Sequence, residues 1–157
     1  MPMEGKSEQN LSSNRELSLK LFVVLSKAYK VVMDRAIKDM KKYGLSASEF
    51  MIMELLYHKG RFPLQQIGGK VLMTSGSITY NIDKLEAKGY LKRVPCPNDR
   101  RVTYAEITPD GENWFGTIFP GHAEAIEAAM QGLTVGNKKL AIELLKQLGL
   151  SAQNGGS

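Results

Sequence analysis

The chain has 157 residues, of which 43% are apolar and 24% charged, and it carries a net charge of +5. This length and balance fit one globular unit with a real core and exclude a largely disordered chain. No apolar run approaches the roughly 18 to 20 residues of a membrane span, and residues 1–10 lack the apolar centre of a signal peptide, so we expect a cytoplasmic protein without membrane contact.

The few cysteines and histidines limit the chemistry. Cys96 is the only cysteine, which excludes an internal disulfide framework and any multi-cysteine zinc site. His58 and His122 lie far apart in the sequence, in no metal-binding spacing. The sequence also lacks a phosphate-binding glycine loop and a nucleophile, histidine and acid set. We therefore predict that the protein binds neither a metal nor a cofactor and that it is not an enzyme.

The first predicted helix covers residues 15–43, after a polar stretch, residues 1–12, that we expect to be flexible. Its apolar residues form two neighbouring stripes: Leu17, Leu21, Leu25, Ala28 and Val32, and then Phe22, Tyr29, Met33, Ile37 and Met40. Two stripes predict a helix that is buried on more than one side. Gly44, which follows two lysines, predicts the end of this helix.

Two shorter helices follow. Ser46 and Glu49 have the spacing of a capping box, in which each side chain accepts a hydrogen bond from an unpaired amide, and they predict a helix over residues 47–58. Gly60 breaks that helix, and Pro63 suits the first position of a third helix, residues 63–71. The inward side chains of the third helix would be Leu64, Ile67 and Val71.

The fourth predicted helix, residues 75–88, follows a turn near residues 72–73 and ends at Gly89. Its inward face is apolar: Ile78, Ile82 and Leu85. Its outward face carries Ser77, Tyr80 and Lys84, with Thr79 on one flank. Small hydroxyl and aromatic side chains can approach bases and phosphates closely, whereas a plain surface helix more often carries many Glu and Lys residues. The pattern favours DNA recognition over a plain surface helix.

Two runs rich in β-forming residues, 91–96 and 102–107, flank a turn sequence, residues 97–99, and predict a hairpin. This part of the chain is the most basic, because residues 59–104 hold nine Lys or Arg and three acids, a net charge of +6 beside +5 for the whole chain. Such a concentration of positive charge is the electrostatic footprint of a surface that binds phosphates. A merely solvated charged face is the alternative.

Thr108 and Pro109 predict the start of a fifth helix, as N-cap and first helical residue. Its apolar residues are Trp114, Phe115, Ile118 and Phe119. Pro120 and Gly121 predict a kink or an interruption before the helical pattern resumes over residues 123–130. A sixth helix, capped by Thr134, carries Leu140, Leu144, Leu145 and Leu148. Residues 149–157 predict a flexible tail.

Helix, turn, helix and hairpin in this order are typical of a winged helix-turn-helix. The tripeptide Asp99, Arg100 and Arg101 stands after the block 85–93 and before the block 107–111. On this ordered set the chain resembles the MarR family of bacterial transcription regulators, over roughly residues 15–148. Residues 21–26 and 65–68 are similar to those of family members that respond to quinones and related aromatic electrophiles.

The resemblance implies a mainly α (α+β) fold with two parts. Residues 46–108 would form the winged helix-turn-helix DNA-binding domain, and residues 13–45 and 109–148 a helical dimerisation region. The apolar stripes independently favour self-association, because a winged domain of about 60 residues is too small to cover them. A homodimer would read a pseudo-palindromic operator in double-stranded DNA, with half-sites about one helical turn apart.

By this resemblance the fourth helix enters the major groove and the wing enters the minor groove. The predicted DNA contacts are Thr74, Ser75, Ser77, Thr79, Tyr80, Lys84, Asp99, Arg100 and Arg101. Thr74 would cap the fourth helix near a phosphate. Asp99 would orient Arg101 into the minor groove, where negative potential is concentrated, and Arg100 and Lys84 would contact phosphates. The alternative is that Asp99 and Arg101 only brace the turn.

The family usually couples DNA binding to a small, often aromatic ligand, so the resemblance implies a repressor that an aromatic or quinone-like effector releases. Side chains that could line its pocket, although Met and aromatic residues are more often core, are Tyr29, Met33, Met51, Met53 and Trp114. Cys96, beside the basic wing, is an alternative thiol-based electrophile or redox sensor. The family's peroxide sensors, however, carry their reactive cysteine near the N-terminus, which favours an unreactive Cys96. A winged-helix protein-interaction module is the remaining alternative.

Overall fold

The computed structural model describes residues 13–71 and 75–155, without the side chains of residues 75 and 76. The described elements are α1 (Asn14–Met40), a 3-10 turn (Lys41–Tyr43), α2 (Ala47–Lys59), β1 (Arg61–Pro63), α3 (Leu64–Val71), α4 (Ser75–Ala87), β2 (Leu91–Pro95), β3 (Thr103–Ile107), α5 (Pro109–Ala129) and α6 (Val135–Gly155). This is the mainly helical, winged helix-turn-helix fold that the sequence predicts. The predictions for residues 1–12, the turn at residues 72–73 and residues 156–157 lie outside the described residues. None of the described helices combines the length and apolar character needed to cross a bilayer.

The core lies where α2, α3, α4, the sheet and α5 meet. Its largest fully buried apolar side chains are Phe50, Phe115, Ile52, Met53, Leu56, Ile67, Ile82, Leu85 and Leu91. The apolar face predicted for α4 is confirmed, because Ile78 is also buried beside Ile82 and Leu85. Each such side chain contributes about 1.5 to 3 kcal/mol to folding. This burial orients α4 and leaves its opposite face outward.

The predicted helix ends are confirmed at the residues whose chemistry is local. Ser46 and Glu49 form the complete capping box of α2. Gly44 ends the first helical segment with a φ of 77°. Gly89, with a φ of 80°, ends α4, where its amide donates to the carbonyl of Glu86 and the amide of Tyr90 donates to that of Leu85. A side chain at these positive φ values would be strained, which is why glycine marks both ends.

The sheet has one strand that the sequence did not predict. Its order is β1-β3-β2, all antiparallel, and Phe62 of β1 pairs with Ala105 of β3. Pro63 is therefore the last residue of β1, and the helix expected to start there begins at Leu64 instead. Three residues are too few to show the alternation of a strand, and an edge strand tolerates a proline. The hairpin of β2 and β3 is confirmed.

Two predictions about the C-terminal helices differ from the structure. Pro120 was expected to kink or interrupt α5, and the interruption was wrong, because α5 is continuous from Pro109 to Ala129; the kink stays a prediction. Proline removes one backbone donor from the helix, but Phe115 and His122, on either side of it, are both buried and hold α5 against its neighbours. Residues 149–155, predicted as part of a flexible tail, belong to α6. Once a helix has formed, each further residue adds a backbone hydrogen bond, which offsets the unfavourable composition of this end.

Much of the apolar surface of α1 and α6 is exposed in the single chain. Exposed side chains of α1 include Leu17, Leu19, Leu21, Phe22, Val23, Val24, Leu25, Tyr29 and Val31, and those of α6 include Leu140, Ile142, Leu144, Leu145, Leu148 and Leu150. Within one chain α1 buries only Ala36, Asp39 and Met40. The prediction of a helix buried on more than one side is thus wrong for the single chain over residues 14–31. These faces exceed what an isolated soluble chain normally exposes.

Candidate DNA-binding surface

The outward face of α4 carries the side chains that the sequence singled out. Ser77, Thr79 and Tyr80 are exposed, and Tyr80 is 64% accessible. Asn81, on the inner side, is buried and donates from Nδ2 to the carbonyl oxygen of Ser77 at 2.7 Å. Thr74 and the side chain of Ser75, both predicted DNA contacts, lie outside the described residues. The described part of α4 therefore presents two hydroxyls and a phenol.

Lys84, also predicted to contact DNA, lies beside a carboxylate of the winged domain's own core. Its Nζ is 3.5 Å from Oε1 of Glu49 and 5.2 Å from the centre of the Tyr80 ring. Lys88 donates to Oε2 of the same carboxylate at 2.9 Å. Burial alone would raise the pKa of Glu49, but the bond from Lys88, the Ser46 amide and the charges of both lysines outweigh it and hold the pKa below its ordinary value. Glu49 is therefore a charged, buried link between α2 and α4.

Arg93 of β2 joins the wing to the other flank of α4. Its guanidinium donates to Asp83 at 2.6 Å and to Glu86 at 2.8 Å, and its backbone amide donates to Glu86 at 3.2 Å. The bond to Asp83, with the nearby charge of Glu86, raises the pKa of Arg93 above its ordinary value despite partial burial. Hydrogen bonds from one guanidinium to two carboxylates fix the orientation of the Arg93 side chain as well as its distance from α4. The wing and α4 are thus fastened together.

The wing tip carries the predicted pair of Asp99 and Arg101. The guanidinium of Arg101 donates to the Asp99 carboxylate from Nε at 3.1 Å and from Nη2 at 3.2 Å, and its backbone amide adds a third bond at 3.0 Å. Because Arg101 binds the charged form of Asp99, the pKa of that carboxyl lies below its ordinary value. The side chain of Arg101 is nevertheless 91% exposed, and Arg100 is also exposed. Gln65 of α3 donates to the carbonyl of Arg101 at 2.9 Å, which ties the tip to the helix-turn-helix.

A cavity of about 770 Å³ opens between α1, α2, α3 and α5. Its walls are mainly apolar and include Met33 and Met51, two of the predicted pocket residues. The other predicted pocket residues do not line it. Tyr29 is exposed on α1, Met53 is fully buried in the core, and Trp114 stacks on Tyr90 with ring centres 4.4 Å apart. Helical spacing showed which residues share a stripe, but it could not show which helices face one another.

The cavity also contains polar groups that the sequence did not predict. His58, Lys59, Lys70 and Glu54 contribute to its lining, and so does His122. His122 is buried, and its Nδ1 lies 2.9 Å from Oδ2 of Asp39. Burial, followed by the charge of Asp39 and a hydrogen bond to it, raises the pKa of the neighbouring Tyr43. No sequence signal links positions 39 and 122, because 83 residues separate them.

Cys96 lies in the wing between two prolines and is half-buried. Its backbone amide donates to the carbonyl of Val102 at 3.0 Å, which extends the ladder of β2 and β3 by one bond. A low-pKa, accessible thiolate is what marks a reactive cysteine. The geometry gives Cys96 a structural place in the hairpin, and its reactivity stays an open prediction.

This chain is similar to known proteins in both sequence and fold. The model of the MarR family matches residues 45–103. The chain is 50% identical over 138 residues to the HTH-type transcriptional regulator MhqR of Bacillus subtilis (strain 168), a match that covers 88% of this chain and 95% of that protein. NadR in complex with 4-hydroxyphenylacetate has a TM-score of 0.71 at 22% identity, over 94% of this chain and 97% of NadR. A mutant MarR from E. coli complexed with operator DNA has a TM-score of 0.71 at 17% identity, over 87% and 99% of the two chains.

Proposed function

Because the chain belongs to the MarR family of transcriptional regulators, we propose that it is a homodimeric repressor that binds a specific double-stranded operator and is released by a small aromatic ligand. The observation that carries the DNA-binding part is the pairing of two exposed features. One is the outward face of α4, with Ser77, Thr79 and Tyr80, and the other is the wing tip, with Arg101. Helix side chains of these types can read base edges in the major groove.

The wing would contribute through the minor groove. A guanidinium on a hairpin tip suits the concentrated negative potential of a narrow groove. Asp99 accepts two bonds from the guanidinium of Arg101 and one from its backbone amide, so less side-chain freedom remains to be lost on binding. Arg100 would add a phosphate contact, as would Thr74 and Ser75 near the start of α4 if that end faces the backbone.

The homodimer is supported by the exposed apolar faces of α1 and α6. Residues 13–45 and 109–148 would form the shared dimerisation region, with residues 46–108 as the DNA-binding domain of each subunit. A two-fold pair of recognition helices implies a pseudo-palindromic operator. Covering the exposed leucines of α6 and the exposed stripes of α1 would remove much unfavourable apolar surface from the single chain.

The effector would bind in the cavity between α1, α2, α3 and α5, whose mainly apolar walls suit an aromatic ring. Its fold neighbour NadR binds 4-hydroxyphenylacetate, and we extend the same ligand class, including quinone-like compounds, to this chain. The cavity joins helices of both proposed domains, so a ligand that prefers one arrangement would change the separation of the two recognition helices.

Genomic fragments selected with purified protein, followed by footprinting, test this proposal. Protection of a pseudo-palindromic site, together with release of the protein from that site by a small aromatic compound, would support it. Equal binding to every duplex would contradict the regulator and favour a protein-interaction module. Replacing Cys96 by Ser separates the ligand mechanism from thiol sensing, because the proposal requires normal release in that variant, together with an unchanged intact mass of the wild type after exposure to quinone.

A further inference from the structure

The buried carboxylate of Glu49 is placed to control two cations of the recognition helix. Glu49 lies in the first turn of α2 and is only 2% exposed. Its Oε2 lies 2.9 Å from Nζ of Lys88. Its Oε1 lies 3.5 Å from Nζ of Lys84 and accepts a hydrogen bond from the amide of Ser46 at 3.3 Å. Lys84 lies in the last turn of α4, and Lys88 directly follows the helix, where its amide donates to the carbonyl of Lys84 at 3.1 Å. The four-residue spacing therefore places both lysines on one side of this helix end.

Loss of both lysine partners would leave the buried carboxylate of Glu49 with an uncompensated charge. Water reaches an exposed carboxylate and replaces a lost partner, but it does not reach this one, and an unpaired buried charge is strongly unfavourable. The lysines themselves are 42% and 37% exposed, so without Glu49 their ammonium groups would be free to extend toward solvent. Glu49 therefore determines where these two charges lie.

We infer that Glu49 is a positioning residue that sets the DNA specificity of the proposed regulator by holding Lys84 and Lys88 against α2 and away from phosphates. Phosphate contacts raise affinity for every sequence alike, whereas contacts from Ser77, Thr79 and Tyr80 depend on the bases. Withholding two lysines lowers affinity for random DNA and leaves discrimination to the outward face of α4. The inference rests on the proposed function, because it assumes that α4 reads DNA.

Glu49→Gln is the variant that tests it. Glutamine keeps the size of the side chain and an oxygen that can accept from the Ser46 amide, but it removes the charge that holds the lysines. We expect affinity for a random duplex to rise about three- to tenfold, and the slope of log affinity against log salt to become steeper by about 1 to 2. The ratio of operator to random affinity should fall.

Glu112→Gln is the matched control. Glu112 is an exposed residue of α5, it has no ion pair among the described residues, and the change in net charge is the same. Its random-duplex affinity and salt slope should stay near those of the wild type. An equal change in both variants would mean that only net charge matters, and it would overturn the inference.

Lysine variants in the wild-type background test the inference without relying on the folding of Glu49→Gln. In the wild-type background Lys84→Gln and Lys88→Gln should leave the salt slope unchanged, because these charges are already withheld. In the Glu49→Gln background they should restore the wild-type slope. If the slope of log affinity against log salt became shallower by about 1 in Lys84→Gln alone, Lys84 would contact a phosphate in the wild type, and the inference would be overturned. A wild type that prefers no sequence over random DNA would instead contradict the proposed function.

Discussion

Arg101 is an exposed charge whose direction is nevertheless fixed, because Asp99 binds its guanidinium and its backbone amide. We expect Arg101→Ala to weaken operator binding by about 1 to 3 kcal/mol, since both the proposed groove contact and the ordered wing tip would be lost. Titration of a labelled operator with the variant measures this change. Circular dichroism verifies that the variant is folded.

Arg100→Ala is the natural control for this position. It removes the same charge from the neighbouring residue, which has no ion pair among the described residues. Its effect should be smaller and similar for all sequences, as is expected of a phosphate contact. Equal operator binding by Arg101→Ala and the wild type would leave Asp99 and Arg101 only the role of bracing the turn.

Glu49 also predicts how stability depends on pH. Its pKa in the folded protein is lower than the ordinary 4.5, so the folded state binds this proton less tightly than the unfolded state. The stabilisation is complete above about pH 4.5 and is lost as the pH falls through the lowered pKa. Urea unfolding should show the wild type about 1 to 3 kcal/mol more stable than Glu49→Gln at pH 7, with a difference that shrinks below pH 4.5. A difference that is independent of pH would contradict this role.

The start of α5 is fastened to the end of α4. Thr108 donates from Oγ1 to the carbonyl of Gly89 at 2.6 Å, and its amide donates to the carbonyl of Tyr90 at 3.0 Å. Gly111 lies in the first turn of α5, where a methyl group would overlap the carbonyl oxygen of Tyr90 and lie 2.9 Å from its carbonyl carbon. The close approach of these two segments therefore requires glycine, although the backbone of Gly111 is ordinary helix.

Gly111→Ala should thus lower the free energy of unfolding by about 1 to 3 kcal/mol, because backbone must move to admit the methyl group. Gly116→Ala, in the same helix, is the comparison: its new methyl would lie 3.5 Å from the Tyr57 hydroxyl, an ordinary contact. There the better helix propensity of alanine should raise stability by up to about 1 kcal/mol. Chemical unfolding of both variants measures the difference, and equal stabilities would refute the close packing.

Local chemistry made most elements predictable from the sequence. The capping box of Ser46 and Glu49, the glycine at position 89 and the spacing of apolar residues in α4 each act within a few residues, so pattern and structure agree. Partnerships between distant residues were not predictable. Lys84 was expected on the outward face of α4 as a phosphate contact, but it pairs with the carboxylate of Glu49, which lies 35 residues away in the sequence, on another helix. The same reason hides the pair of His122 and Asp39, which are 83 residues apart. The acidic partners of Arg93 are only 7 and 10 residues away, but they lie on α4 whereas Arg93 lies on β2.

At the scale of the molecule, positive charge is less available than the sequence suggested. Between residues 59 and 104 the charges of Lys84, Lys88, Lys92 and Arg93 are all engaged in ion pairs within the fold. Arg61 lies over the ring of Tyr104, 4.7 Å from its centre. The net charge of +6 for this segment is unchanged, but only part of it can approach phosphates without breaking internal contacts. We therefore expect fewer phosphate contacts than the number of basic residues suggests.

Dimerisation can be tested on α6, where Leu144 and Leu148 are exposed on one side of the helix. Replacing both by Arg should raise the dimer dissociation constant by about a hundredfold or more, since burying two leucines contributes about 3 kcal/mol or more. Sedimentation equilibrium measures the constant. Lys146→Glu, a charge change on the same helix without loss of apolar area, should have a much smaller effect, and an unchanged dimer in the double variant would exclude this face.

If the exposed stripes of α1 and α6 join two chains, as proposed, they also determine how the regulator responds to its own abundance. When the species that reads DNA contains two chains, its amount below the dimer dissociation constant varies with the square of the chain concentration. Halving the supply of chains then leaves about a quarter of the active species. Operator occupancy by the proposed dimer would therefore fall more steeply than the chain concentration as growth dilutes the protein, and the gene that encodes it would be sensitive to dosage.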